Sequence, residues 1–208
     1  MKRISPEHKV SESFFIFTAM KMNIAFVLFF STFFINAQIS EQVRKLAKPL
    51  DTIAYAESEY IKVGAEKSKV YEYFQKLSEV ANNDDLFYLA KNGSKSLKFY
   101  SSKELLKRND KRFLEIYKFY TENPFSLSYT YGSEASEEDI TSHLKQAIKI
   151  TSEILSLVEE WKNDEKNNAL ESFEDKQLRK FEEKYKNLTK TDLKFYWQEI
   201  GKIDSEKK

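Results

Sequence analysis

The chain predicts an all-α fold, an irregular helical bundle ending in a long antiparallel pair of helices. Three observations carry the expectation. Gly and Pro, the residues that punctuate turns and break regular elements, number only four and three in 208 residues. After residue 66, apolar residues recur at three and four through most of the chain, the spacing that lines one helix face. Ser, Thr, Asn or Asp precedes most of these runs, where a helix start needs a side-chain acceptor.

The first element lies ahead of that pattern. Met22–Gln38, MNIAFVLFFSTFFINAQ, follows Lys21, holds an apolar core at Ile24–Ile35 softened by Ser31 and Thr32, and reaches a small residue, Ala37, after Asn36. A basic start, an apolar core of about 7–15 residues and a small residue before the cut make a secretory signal. Residues 1–37 therefore read as an N-terminal extension plus a signal peptide cut near Ala37/Gln38, with Met20 or Met22 an equally good start. The core is shorter than the roughly 20 apolar residues of a membrane-crossing helix. Extending it back through Phe14–Met20 reaches that length but puts Lys21 near the middle, at a cost of about 2.5–3.5 kcal/mol. A retained single-pass anchor is the alternative.

Residues 38–66 form a weakly patterned N-terminal helical segment. Val43, Leu46 and Leu50 keep helical spacing, Pro49 interrupts, and Ile53–Tyr60 resumes as helix. An all-helical domain over 67–203 follows. Val70, Tyr73, Phe74, Leu77 and Val80 make one stripe between Ser68 and Asn82, and Asn82-Asn83-Asp84 supplies a stop and a new cap. Leu86, Leu89 and Ala90 mark a short helix at 85–91. Asn92-Gly93 ends it with Gly where a left-handed residue is wanted, and Ser94 caps a helix over 95–108 that buries Leu97, Tyr100 and Leu105. Phe113, Ile116, Tyr117 and Tyr120 form the next stripe, stopped by Asn123-Pro124. Phe125, Leu127, Tyr129 and Tyr131 alternate as a strand would, but no partner run is evident, so 124–135 reads as an ordered loop packed on the helices. Ser136-Glu137-Glu138-Asp139 has the layout of a capping box with an acidic first turn. The helix it opens carries Leu144, Ala147, Thr151, Ile154, Val158 and Trp161 on one face, widened by Ile148 and Leu155. After a polar break at 163–168, a second long helix to Leu188 presents Leu170, Phe173, Leu178, Phe181 and Tyr185. A short link between them makes the two antiparallel. Thr189–Thr191 caps a last helix with Leu193, Tyr196, Trp197 and Ile200, and 204–208 is a charged tail.

Leu86–Asn109, LFYLAKNGSKSLKFYSSKELLKRN, a short apolar helix, a tight turn and a longer helix, resembles one unit of a HEAT-type helical repeat. Its turn, Asn92-Gly93-Ser94-Lys95, lacks the Pro or β-branched residue and the Arg that such units carry, and no second copy stands at the roughly 40-residue spacing of such arrays. The resemblance implies a short HEAT-like helical array, a protein-binding scaffold without catalytic residues.

Charge and composition exclude several functions. The chain has 34 Lys+Arg and 33 Asp+Glu. Residues 1–37 hold four of the bases (Lys2, Arg3, Lys9, Lys21) and two of the acids (Glu7, Glu12), so the remainder carries 30 against 31. A near-neutral balance argues against nucleic-acid binding, local basic patches aside, and gives no pull toward an anionic membrane once the signal is cut. There is no cysteine, hence no disulfide and no thiolate metal site. Apart from His8 in the leader, the single histidine is His143, four residues after Asp139; one His and one carboxylate fall short of the three ligands of a catalytic zinc. Ser is plentiful, but no G-x-S-x-G turn marks one out as a nucleophile; no phosphate-binding Gly loop occurs, and no cofactor is expected. The adjacent pairs Glu159-Glu160 and Glu182-Glu183 point apart on a helix among lysines and read as solvated faces.

The remaining oddity is aromatic. Tyr, Phe and Trp make 15% of the chain, and although eight of the 17 Phe lie in the leader, twelve Tyr remain. Such stripes mostly form core and core edge, Tyr burying its ring while its hydroxyl reaches water. Where they form a groove instead, for sugar or peptide, it is expected between the 113–120 helix and the 125–131 segment, with Phe113, Tyr117, Tyr120, Phe125, Tyr129 and Tyr131 as the binding surface. The functional expectation is an exported, non-catalytic binding or scaffold protein of the periplasm or cell exterior with another protein as partner. The alternative is an envelope hydrolase with two converging carboxylates.

Overall fold

The computed structural model describes residues 39–164 and 173–206. The signal segment and most of the polar break at 163–168 lie outside them. The fold is α+β, which overturns the all-α expectation and with it a purely helical array. A mixed four-stranded sheet in the order β2-β1-β3-β4 stands among eight α-helices of the described residues.

Helix α1 (Glu41–Ala47) starts at Ser40, whose Oγ accepts from the Val43 N–H at 3.2 Å, and runs into a 3-10 turn, Lys48–Leu50, that has Pro49 in its first positions. Val43, Ala47 and Leu50 are buried. The chain then extends as β1 (Tyr55–Ile61) and turns back as β2 (Glu66–Lys67), antiparallel with Tyr60 opposite Lys67. The predicted helix at 53–60 is thus a strand. Its Ala, Glu and Ser favour helix or are neutral, and what overrides them is long-range. β1 pairs in parallel with β3 (Ser126–Gly132), Ala56 opposite Tyr129, some seventy residues away. On the other edge, beyond the reach of the short β2, the Tyr100 hydroxyl accepts from the Glu57 N–H at 2.8 Å and donates to the Glu57 carbonyl at 2.7 Å. A side chain there completes the strand's hydrogen bonding.

The predicted loop at 124–135 is strand as well. β3 folds back on β4 (Glu134–Asp139) as a hairpin, paired from Ser126–Asp139 to Tyr131–Glu134 around Gly132-Ser133. Gly132 has φ +57°, which a two-residue hairpin loop asks for and Gly adopts without strain. The predicted capping box at 136–139 belongs to this strand. Only Asp139 acts as a cap, its Oδ1 accepting from the Ser142 N–H at 2.9 Å.

Four helices cross from β1/β2 to β3. These are α2 (Lys69–Val80), α3 (Asn83–Asn92), α4 (Lys95–Lys107) and α5 (Phe113–Glu122), capped by Ser68, Asn82 and Ser94 before the first three. Asn82 and Asp85 form a reciprocal capping box. Gly93 is not left-handed: φ is −74°. A Cβ there would stand 2.6 Å from Leu97 Cβ and 2.7 Å from the Leu89 carbonyl oxygen, so Gly is required by the close approach of α3 to α4. The left-handed residue is Asn109, φ +56°, after α4. α4 is the central helix, buried around most of its circumference by Leu97, Phe99, Tyr100, Ser101, Ser102, Leu105 and Leu106. Arg108 ties its end to α2 and α3 by donating to the Ala81 carbonyl at 2.8 Å, the Ser78 carbonyl at 2.5 Å and Glu104 at 2.9 Å.

The C-terminal part comprises α6 (Ile140–Asp164), α7 (Phe173–Lys184) and α8 (Lys190–Glu206). α6 and α7 run antiparallel: Trp161 Nε1 donates to Asp175 at 2.5 Å near one end, and Thr151 meets Tyr185 near the other. Thr189 and Asp192 cap α8 reciprocally. The predicted charged tail begins inside this helix, where Asp204 accepts from the Tyr117 hydroxyl at 2.9 Å and pairs with Lys145 at 2.7 Å.

Candidate ligand cleft

The expected groove residues separate. Phe113, Tyr117 and Tyr120 are fully buried and offer no surface. Phe113 packs edge-on against Tyr196 of α8, Tyr117 reaches Asp204, and the Tyr120 hydroxyl donates to the Ala90 carbonyl at 2.6 Å. Phe125, half-buried, closes on Tyr120 with ring centres 5.2 Å apart. Tyr129 and Tyr131 alone, from β3, face open space, and they face a different cleft.

That cleft encloses about 770 Å³ between the sheet, α2, α4 and the α6–α7 pair. Tyr71 and Phe74 come from α2, Phe99, Tyr100 and Lys103 from α4, Tyr129 from β3, Ala147 and Thr151 from α6, and Phe181, Lys184 and the following Tyr185 from α7. The aromatic walls are themselves packed. Phe74 stacks on Tyr100 at 5.0 Å, Tyr71 meets Tyr100 edge-on at 6.1 Å, and Phe99 lies 5.2 Å from Tyr129. Burial raises the pKa of the Tyr71, Tyr100, Tyr129 and Tyr185 phenols, so all four stay neutral hydroxyls at ordinary pH.

Lys103 is the unusual member. Its Nζ sits 4.9 Å above the Phe99 ring and 5.6 Å from the Tyr129 ring, and 3.3 Å from His143 Nε2. Behind it, His143 is buried and its Nδ1 is hydrogen-bonded to the Glu138 carboxylate. That bond places a proton on Nδ1, and the lowered pKa keeps the ring neutral, so Nε2 is left as an acceptor for the Lys103 amine. The chain Glu138–His143–Lys103 thus links β4, α6 and α4. Burial, then the charge of Lys184, lowers the Lys103 pKa to about 8 against the opposing pull of Glu138. Burial and the Lys103 charge likewise lower His143 to about 4, Glu138 opposing.

His143 is therefore buried and does not pair with Asp139, four residues before it. Asp139 caps α6, and the neighbouring position, Glu138, takes the imidazole because alternate strand residues face opposite sides. A cation would meet two ligands and an ammonium there. Among the described residues no group of three or more His, Cys, Asp or Glu side chains converges. Of the adjacent acidic residues on the helices, Glu159 pairs with Lys190, Glu182 with Lys162 and Glu183 with Lys186, and none of these three, nor Glu160, lines the cleft. Within the cleft, Glu57 accepts from Ser68 at 2.5 Å and Glu104 bridges Lys107 and Arg108.

Lys103 and Tyr71 were not singled out by the sequence pattern, and Tyr100 and Tyr185 were read as members of helix stripes and not as site residues. One signal was available: Lys103 stands four residues after Phe99 and three after Tyr100, on a face that both rings bury, where a solvated lysine would be misplaced. Comparison of the chain with protein families, with curated proteins and with solved structures finds no match.

Proposed function

We propose that this chain is an exported, non-catalytic binding protein whose site is the tyrosine-lined cleft, and that the ligand is a small anion with a flat, largely apolar body. The observation that carries the reading is Lys103, a cation on the wall of an aromatic cleft whose closest polar neighbour is a neutral imidazole instead of a carboxylate. Taken out of water, an ammonium without a counter-ion is poorly stabilised, and an anion entering the cleft supplies what is missing. Lys184 adds a second charge to the lining, from α7, and the rings supply flat surfaces. The volume, about 770 Å³, lies in the range of about 300–1,000 Å³ that encloses small molecules, which favours such a ligand over the protein partner expected from the sequence. Of the three carboxylates lining the cleft, Glu57 and Glu104 are each held by their own partners, which leaves Glu59 by itself, short of the pair that a two-carboxylate hydrolase needs. Export rests on Met22–Gln38.

Titration with 8-anilinonaphthalene-1-sulfonate, a flat aromatic anion, tests the site. One saturable binding event is expected, abolished by Ala147→Trp, which fills the cleft from α6, and weakened by Lys103→Met. Fluorescence that does not saturate, or that ignores Ala147→Trp in a protein of unchanged circular dichroism, overturns the reading. Mass spectrometry of the protein made with its leader tests export: a mature chain that retains residue 1 or 20 overturns cleavage after Ala37.

A further inference from the structure

Resting on that cleft as the binding site, we propose that Lys103 captures its ligand covalently and reversibly, as an imine with an aldehyde or ketone that also carries an anionic group, with His143 orienting the amine and Lys184 taking the anion. Three features of the geometry point to a nucleophile and not merely a counter-charge. First, the amine is flanked by the Phe99 and Tyr129 rings, which keep water from it; their faces attract the ammonium, and the loss of water outweighs that pull. Second, a like charge, Lys184, lines the same cleft and acts on it, a pairing that favours a neutral amine on one of the two. Third, the Glu138–His143 dyad presents Nε2 as an acceptor. An N–H directed into that nitrogen leaves the lone pair of a neutral Lys103 to point elsewhere, and Lys103 lines the cleft. His143 and Glu138 lie behind the cleft wall and touch no ligand, so theirs is a positioning role.

The depressed pKa agrees with this arrangement. With a value of about 8, roughly a tenth of the molecules carry a neutral Lys103 at pH 7, against well under a hundredth for an ordinary lysine. The groups facing it are Glu138 from β4, His143 from α6, Tyr129 from β3, and Lys184 with Tyr185 from the α7 side. Of these, Glu138 alone opposes discharge, and its carboxylate is occupied by His143. The step itself balances without a co-reactant. The amine lone pair forms the C–N bond and the carbonyl π pair moves to oxygen. The two amine protons then leave with that oxygen as one water, and C=N replaces C=O with nothing oxidised or reduced. Water returning through the open cleft reverses it.

The full chain incubated with 4-carboxybenzaldehyde, an aromatic aldehyde with an anionic group, then reduced with cyanoborohydride and peptide-mapped, decides the matter. At a probe concentration below that of the protein, labelling of Lys103 is expected to exceed that of the exposed lysines by on the order of tenfold. It should rise with a midpoint near pH 8 while theirs climbs toward the ordinary lysine value, and Lys103→Arg should abolish it without moving the label elsewhere. Should that variant fail to fold, the pH profile of the unmodified chain and protection of Lys103 by bound anilinonaphthalene sulfonate carry the same information. Label spread over surface lysines in proportion to exposure, while the sulfonate still saturates the cleft, overturns the imine and leaves the binding reading standing. A sulfonate titration that never saturates overturns the binding reading, and the adduct map then decides the imine by itself.

Discussion

Two sets of tyrosines surround the central helix α4, and they end differently. Tyr117 and Tyr120 of α5, with Tyr196 of α8, are fully buried and every hydroxyl is bound, to Asp204, to the Ala90 carbonyl and to Asn109. Tyr71 and Tyr129 stand on the cleft wall, half-buried, and their hydroxyls have no hydrogen-bond partner among the described residues. Residue type is alike in both, and both include helical tyrosines, Tyr71 on one side and Tyr117 and Tyr120 on the other. What differs is the covering layer. α3, α4 and α8 close over α5, whereas the α6–α7 pair stands off from the sheet and leaves about 770 Å³. Burial of an aromatic stripe is therefore decided by the element that arrives on top of it, and the open side is where an unpaired cation survives.

The comparison breaks most visibly on the closed side. Phe113→Ala removes a fully buried ring packed on Tyr196 and should cost about 3–5 kcal/mol, read from the urea midpoint, because the site is enclosed and cannot collapse fully. A cost within about 0.5 kcal/mol, as on an exposed surface, would mean that α8 does not cover α5. Next in size is Gly93→Ala. Its backbone is permissive at φ −74°, so the cost comes wholly from the clash with Leu97 and the Leu89 carbonyl and should be about 1–3 kcal/mol. A neutral result would show that α3 and α4 can part without loss.

Tyr100→Phe sharpens the contrast on the open side. Tyr100 belongs to the cleft wall, yet its hydroxyl serves both backbone groups of Glu57, so this one deletion should cost about 1–3 kcal/mol by leaving the β1 edge unpaired. Tyr129→Phe and Tyr71→Phe, which remove hydroxyls that bond nothing in the described residues, should stay within about 0.5 kcal/mol. Equal costs for all three in thermal unfolding would erase the distinction between structural and free hydroxyls on this wall.

The helices after residue 66 were legible because their caps and stripes are local. Ser68, Asn82 and Ser94 occupy the N-cap positions that their places before apolar runs imply, and Phe113, Ile116, Tyr117 and Tyr120 share one buried face. The sheet was not legible, for reasons that lie in its residues. β4 is Glu-Ala-Ser-Glu-Glu-Asp, an exposed edge strand with no apolar alternation, and it reads better as an acidic helix start. β1 holds Ala-Glu-Ser-Glu and becomes a strand through pairing with β3. Without either partner in view, the true alternation of Leu127, Tyr129 and Tyr131 had nothing to pair with. The cleft follows the sheet: Tyr129 was named among the binding residues, while Lys103 and Glu138 meet His143 only once β4 delivers the carboxylate.

One expected effect on the open side has the opposite sign. Lys103→Met removes a charge that folding strips of water, so at neutral pH the variant should be more stable than the parent by on the order of 1 kcal/mol, water in the cleft keeping the gain well below the full shift. The sign follows from linkage. The folded-state pKa, about 8, is below the unfolded value of 10.5, so between the two the unfolded chain binds more protons and the parent's stability rises with pH. Below about 8 the penalty is fully present, and above 10.5 it is gone. The advantage of the variant should accordingly be constant from pH 7 to 8 and shrink steadily toward pH 10, measured as the difference between two urea titration series so that groups common to both chains cancel. An advantage that does not shrink would place Lys103 in water in the folded chain, and the open side would then differ from the closed side in shape alone.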